Sequence, residues 1–449
     1  MCQCIYNQKC TINTVFEKIF SHHFQPAFAA LVVASAGAML IALPAWAAPP
    51  DDPVANAPPG ATAKPAKPAK PAKPANSPDP AKPTHPNNPY FNANKPHHTP
   101  DGFQNLYIGG INKPFTDLLR WRISAFIDRL PTAPKTPTPT QAPDLARIHT
   151  NAKAGGYMQP MVTWIGHATT LVQASGLNVL TDPIFSERAS PVQLIGPKRQ
   201  QPPGVPMQDL PPIDVVVISH NHYDHLDRQS VFELDQRAKK SGQATLFLVP
   251  LGIKPWMADI GISNVVELDW WDKHSVKGVD FYLTPVQHWS ARGVGDRSKT
   301  LWGGWSVFGA DFHWYFSGDA GYSKDFADTR AHFDMHLPAA SKAAVQRRVK
   351  DQANRPNLSP IFDVALLAVG AFEPRWFMKE QHINPLEAVQ AFQDLGAARA
   401  IGIHWGTFEL TDEALDQPPN DLAAAKRQLG VQDEAVFLLK IGQSWAPAL

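Results

Sequence analysis

From Met161 onward the chain alternates short apolar runs with polar breaks: MVTWIG, LNVLTD, DVVVISH, ATLFLVP, NVVELDW, DFYLTPVQH, HWYFSGD, VALLAVG and ARAIGIHWG. Short apolar runs bounded by polar residues and turn formers predict buried strands, and the stretches around them carry helical spacing. Strands alternating with helices through one continuous segment predict an α/β domain whose sheets are covered by helices. Upstream, PFTDLLRWRISAFIDRL (Pro114 to Leu130) carries apolar residues at helical spacing and predicts an amphipathic helix. The Pro-rich connector Pro131 to Pro143 follows it.

The first hundred residues follow other rules. Residues 27–48, AFAALVVASAGAMLIALPAWAA, form an uncharged apolar run preceded by Lys9 and Lys18 and ending in Ala45-Trp46-Ala47. A basic region, an apolar core and a small-x-small end predict an export signal cleaved after Ala47. About 20 apolar residues can also span a bilayer, so an uncleaved anchor is the competing expectation. Either places the rest of the chain in the periplasm, free or tethered to the inner membrane. Residues 48–100 hold a Pro-rich tract with Ala-Lys-Pro units from Ala63 to Pro74. With donors removed and little to bury, it is expected to be a disordered spacer in which His85, His97 and His98 are solvated. The globular part is expected from residue 101 to residue 449, with residues 331–361 as an insertion. Within the insertion, Ala339 to Lys350 reads as a basic amphipathic helix.

Charge narrows the function. The chain balances 41 Lys and Arg against 40 Asp and Glu, which does not favour a polyanion-binding surface or a nuclease. Its cysteines, Cys2, Cys4 and Cys10, all precede the apolar run. Any metal site in the globular part must therefore be built from His, Asp and Glu.

Such a set is present. The strand DVVVIS ends in His220-x-His222-x-Asp224-His225, DFYLTPVQ ends in His288, HWYFSG in Asp319 and ARAIGI in His404. Strand ends are where rigid elements aim loop residues at one point. In an extended segment residues two apart face the same way, so His220 and His222 can share one ion, while a turn at Asp224 lets Asp224 and His225 face a second. His288 completes the first set, His404 the second, and Asp319 bridges them. Imidazole and carboxylate suit zinc, with iron or manganese as substitutes. Paired ions acidify a shared water and stabilise both attacking and leaving oxygens. His149, His274, His313, His332 and His336 read as ordinary polar residues, and Trp270, Trp271, Trp302 and Trp305 as core.

HxHxDH after an apolar strand, with later His, Asp and His, resembles the metallo-β-lactamase superfamily. The blocks TWIGHATTLVQ, LTDPIFSERASPVQLIGPKR, PPIDVVVISHNHYDHLD, TPVQHW, LWGGWSV, SGDAGY, EPRWFMKEQHINPLEAV and IHWGTF are similar to the N-acyl-phosphatidylethanolamine-hydrolysing phospholipase D family. The resemblance implies a four-layer αβ/βα sandwich and two zinc ions. It implies His220, His222 and His288 on one, Asp224, His225 and His404 on the other, and Asp319 between. It also implies hydrolysis of a membrane phospholipid to N-acylethanolamine and phosphatidic acid, at a membrane surface. The alternative is a hydrolase of the same scaffold acting on a lactone or another phosphodiester. The oligomeric state is left open, a homodimer included.

Around the ligands, Arg292 is expected to pair with a phosphate oxygen. Tyr223 is expected to hydrogen-bond the phosphate, and Gln381 to line the substrate site. His382 is expected to contact the headgroup or protonate the leaving group, which makes it a catalytic candidate beside Asp224 and Asp319. His167 and Asp182 are expected to orient ligands or loops.

Overall fold

The computed structural model describes residues 86–338, 341 and 360–447. The expected signal or anchor, the cysteines, His85, most of the spacer and all but Ser341 of the expected basic helix lie outside the described residues. Among the described residues, no helix is long and apolar enough to cross a membrane.

A small hairpin, β1 (His98–Thr99) and β2 (Gly102–Phe103), opens the described chain. Then come β3 (Met161–Gly166), β4 (Thr169–Ala174), β5 (Leu177–Thr181), β6 (Val215–Val217), β7 (Leu246–Pro250) and β8 (Val265–Leu268). They are followed by β9 (Lys273–Val276), β10 (Val279–Thr284), β11 (Gly304–Phe308), β12 (His313–Phe316), β13 (Val364–Ala368), β14 (Ala400–Ile403), β15 (Val436–Leu438) and β16 (Ser444–Trp445). One seven-stranded sheet has the order β16-β3-β4-β5-β6-β7-β8, the other β15-β14-β13-β12-β11-β10-β9. Each is antiparallel over its first hairpins in chain order and parallel beyond, changing at β5–β6 and at β12–β13, except that β16 returns antiparallel to β3. The parallel halves need crossovers, which helices supply except from β5 to β6, where a long loop with one 3-10 turn (Met207–Asp209) does so.

Alternation along the strands explains the layers. On β3, Val162 and Trp164 join the core that unites the two sheets, while Met161 and Ile165 join a second core on the outer face. On β6, Val215 and Val217 face inward and Val216 outward, where Val231 and Leu234 of α3 (Arg228–Lys240) cover it. The second sheet is covered by α5 (Asp325–His336), α7 (Pro385–Leu395) and α8 (Gln417–Leu429), numbered after α1 (Phe115–Asp128), α2 (Leu145–Ala152), α4 (Lys254–Asp259) and α6 (Arg375–Met378). The order helix, sheet, sheet, helix is the expected sandwich. Fully burying a large apolar side chain contributes about 1.5–3 kcal/mol, and Trp164, Trp302, Trp305 and Trp314 lie in this core. Trp270 is buried too, and Trp271 packs against the core, stacked on His332.

Two boundaries differ from expectation. The spacer was expected to run to residue 100, but His97 and His98 are buried and both contact Asp269, at 2.7 and 2.9 Å. Composition alone misplaced this edge, because the buried partner lies far along the chain. The expected insertion also shrinks from both ends: residues 331–336 complete α5, with Phe333 buried, and Ile361 sits in the core.

Candidate metal centre

At one edge of the sandwich the strand-end residues meet. The loop after β6 carries His220, His222, Asp224 and His225, while β10, β12 and β14 lead to His288, Asp319 and His404. His220 Nε2 and His288 Nε2 lie 2.8 and 3.4 Å from His222 Nδ1, and each is 3.8 Å from Asp319 Oδ2. Beside them, His225 Nε2 and His404 Nε2 lie 3.3 and 3.4 Å from Asp224 Oδ2. The Asp319 carboxylate faces both groups, with Oδ2 3.1 Å from His225 Nε2 and Oδ1 3.1 Å from His404 Nε2. The expected ligands thus form two adjoining clusters with one carboxylate between them.

The hydrogen bonds outside the clusters decide which ring nitrogens face inward as lone pairs. Ser219 Oγ donates to Asp182 Oδ2, so it accepts from His220 Nδ1–H at 2.9 Å. His288 Nδ1–H donates to the Gln381 carbonyl at 2.9 Å, and His225 Nδ1–H to Asp182 Oδ2 at 2.6 Å. Each bond leaves Nε2 as an acceptor aimed into the site, the arrangement that orients an imidazole for a metal. His225 Nε2 and Asp319 Oδ1, both aimed into the clusters, are buried without hydrogen-bond partners. Converging acceptors with no donor between them are unfavourable unless a cation compensates them, so the residues fit a metal.

Ionisation follows from burial. Burial drives His220 and His288 well below the usual imidazole range and His222 to about 3. Burial also opposes charge on His225, but the Asp319 and Asp224 carboxylates outweigh it and raise that ring well above the ordinary value. Against the same burial, His225 and its neighbours hold Asp224 and Asp319 well below the carboxylate range. His220, His222 and His288 are thus neutral and Asp224 and Asp319 ionised, the forms that ligate divalent cations, while His225 would give up its proton on binding one.

The backbone is shaped for this. His404 and His167 are held at φ 62° and 53°, a region non-glycine residues enter at a cost of order 1–3 kcal/mol and most often at functional sites. A Cβ on Gly370 would lie 2.2 Å from the His404 carbonyl oxygen, and one on Gly318 would lie 2.4 Å from Ser219 Cβ. Both positions need glycine for close approach of the ligand loops.

The flanking expectations divide. Asp182, as expected, orients His225 and the Ser219 turn. His167 Nε2–H donates to Asp224 Oδ2 at 2.9 Å, and its ring lies 4.0 Å from that of His404. His382 faces the clusters: its Nδ1, buried and unpartnered, is 3.9 Å from Asp319 Oδ2, and burial lowers it to about 4. Three substrate contacts are redirected. The Tyr223 hydroxyl donates to the Arg292 carbonyl at 2.6 Å. Arg292 Nη1 donates to the Asn221 and Leu226 carbonyls, both at 2.8 Å, and its guanidinium lies between the Tyr223 and Trp256 rings. Gln381 turns its side-chain amide to Met378 Sδ and contributes its carbonyl to His288. These hydrogen bonds brace the ligand loops, and Tyr223 and Arg292 also line a cavity beside Asn221. Sequence position places a residue near a site but does not show where its side chain points.

The two groups of ligands, both built on strand ends of an αβ/βα sandwich, can be compared with known proteins. A family model described as a β-lactamase superfamily domain matches residues 177–340 and 348–405. N-acyl-phosphatidylethanolamine-hydrolyzing phospholipase D 1 of Caenorhabditis elegans is 36% identical over 296 residues, 63% of this chain and 74% of that protein. This chain belongs to the N-acyl-phosphatidylethanolamine-hydrolysing phospholipase D family of the metallo-β-lactamase superfamily. The mitochondrial N-acyl-phosphatidylethanolamine-hydrolyzing phospholipase D of Saccharomyces cerevisiae is 33% identical over 279 residues, 60% of this chain and 53% of that protein. A metal-dependent hydrolase of Methanopyrus kandleri is 26% identical over 284 residues, 63% of this chain and 98% of that protein. Family and donor set together make this family member a metal-dependent hydrolase.

Proposed function

We propose that the protein is a two-zinc phosphodiesterase of phospholipase D type, hydrolysing N-acyl-phosphatidylethanolamine-like lipids to N-acylethanolamine and phosphatidic acid. The observation that carries the metal chemistry is the set of imidazole tautomers described above, His220, His225 and His288, each turned by an outer hydrogen bond so that Nε2 faces Asp319. The lipid reading rests on the activity in the names of the worm and yeast relatives.

When bound, the ions supply Lewis acidity: they make water more acidic and offset charge on phosphodiester oxygens. The chain supplies the frame. In the overall reaction a water oxygen bonds to phosphorus, the bond from phosphorus to the ethanolamide oxygen breaks, and the water proton ends on that oxygen. His382 is placed to handle this proton. It is kept neutral by burial, its side chain is partly open to solvent, and Nδ1 has no protein partner. A neutral imidazole has one donor and one acceptor, which suits passing a proton to a departing alkoxide. The Asp224 side chain keeps 15% exposure, whereas Asp319 is closed from solvent.

The test is to incubate the purified chain with N-acyl-phosphatidylethanolamine, a lactone panel and a simple phosphodiester, with and without chelator. Release of N-acylethanolamine that stops on chelation and returns with zinc is expected. Lactone turnover with none on lipid would replace the proposal with its alternative, and lipid turnover unaffected by complete metal removal would end the metal mechanism.

A further inference from the structure

We infer that Asn105 is a positioning residue of the metal centre, and that the segment carrying it is held there by a clasp of His97 and His98 on Asp269. The inference rests on the reading that the site binds metal. Asn105 is 3% exposed, and its Oδ1 accepts the backbone N–H of His288 at 2.9 Å. The amide is turned by its other end, since Nδ2 donates to the Gly109 carbonyl at 2.9 Å, as does the Asn105 backbone N–H. His288 is therefore gripped twice. Gln381 fixes the ring through Nδ1, and Asn105 fixes the backbone from which the ring projects. Metal ligands held by outer partners lose about 10–100-fold in metal affinity when those partners are removed.

The loop that carries His288 belongs to no sheet, and the segment before α1 braces it along its length. The Phe103 N–H donates to the Ser298 carbonyl at 2.8 Å, Lys299 Nζ donates to the Asp101 carbonyl, and Arg297 Nε donates to the Ile111 carbonyl at 2.9 Å. The segment is itself anchored at the opposite end. Asp269 Oδ1 meets His97 Nε2, and Oδ2 meets both His98 Nε2 and Lys95 Nζ. The His97 ring stacks on Trp270, with centroids 4.4 Å apart. Lys95 already supplies a cation to that carboxylate, so the cluster is a clasp and not another metal site.

The test compares the full chain with Asn105→Ala, Asn105→Asp and Asp269→Asn. Each is loaded with zinc and titrated with chelator, zinc retained is read by elemental analysis, and the melting temperature of the stripped protein is recorded. Asn105→Ala is expected to release one zinc equivalent at about tenfold lower chelator than the parent, with the stripped proteins melting alike. Asn105→Asp keeps an acceptor for the His288 N–H but sets a carboxylate oxygen against the Gly109 carbonyl, so it is expected to fall between Asn105→Ala and the parent. Parental retention in Asn105→Ala overturns the inference. If Asn105→Ala does not fold, Asp269→Asn decides. It is expected to show the same early release and faster proteolysis between residues 86 and 113, and parental retention there overturns the inference. A parent chain that binds no zinc would instead overturn the metal reading itself.

Discussion

Asp182 lies outside both ligand clusters, yet it sets the direction of two of their members. It is fully buried, accepts from His225 Nδ1 and Ser219, and keeps φ at 32° to do so. Replacing it with Asn puts an N–H where His225 and Ser219 need an acceptor, and is expected to cut metal affinity about 10–100-fold with all the ligands still present. Chelator titration of Asp182→Asn checks this, and unchanged affinity would show that the ring orientations are set elsewhere. Arg292 offers a sharper choice between roles. As a brace, Arg292→Ala should lower kcat and metal retention with little change in KM; a pure rise in KM would return it to the phosphate contact that its spacing first suggested. Residue types, strand-end placement and the family resemblance singled out His220, His222, Asp224, His225, His288, Asp319 and His404, which the structure brings together in two adjoining clusters. The same signals were not enough for Tyr223, Arg292 and Gln381, whose side chains or carbonyls turn according to packing partners far along the chain.

At the scale of elements, the helix from Pro114 and every apolar run named from the pattern corresponds to a helix or strand. Period and burial act locally, so these were legible. β4 and β11 were missed as strands: Thr169–Ala174 and Gly304–Phe308 pass without the run of branched apolar residues that marks their neighbours. The 86–100 segment was missed because it folds by long-range contacts, His97 and His98 to Asp269, while its composition suggests a spacer. Helix α5 carries its own test. Asp325, at its first turn, is 2% exposed, Oδ1 has no partner, and burial raises the carboxyl to about 6. A carboxyl whose folded pKa exceeds its unfolded value adds stability below about pH 4 and loses it as pH rises through about 6. Asp325→Asn should therefore match the parent near pH 4 and exceed it by about 2–3 kcal/mol at pH 7. Denaturant unfolding at the two pH values measures this, and a pH-independent difference would contradict it.

For the whole molecule, the sandwich matters because it brings distant parts of the chain to one edge. The loop after β6 extends from one sheet, and the loops carrying His288, Asp319 and His404 follow strands β10, β12 and β14 of the other. Asp319 reaches both ligand clusters only because the sheets are locked face to face by a shared core. Binding of metal should then be coupled to the stability of the sandwich and not only to local order, raising its melting temperature by mass action. The most direct test is elemental analysis of the folded parent and of Asp319→Asn, each with activity on the same preparation. Two equivalents of zinc in the parent are predicted, with at least one lost from Asp319→Asn and turnover reduced by about 10³-fold or more. No stoichiometric metal in the active parent, or near-parental activity in Asp319→Asn, would contradict the account.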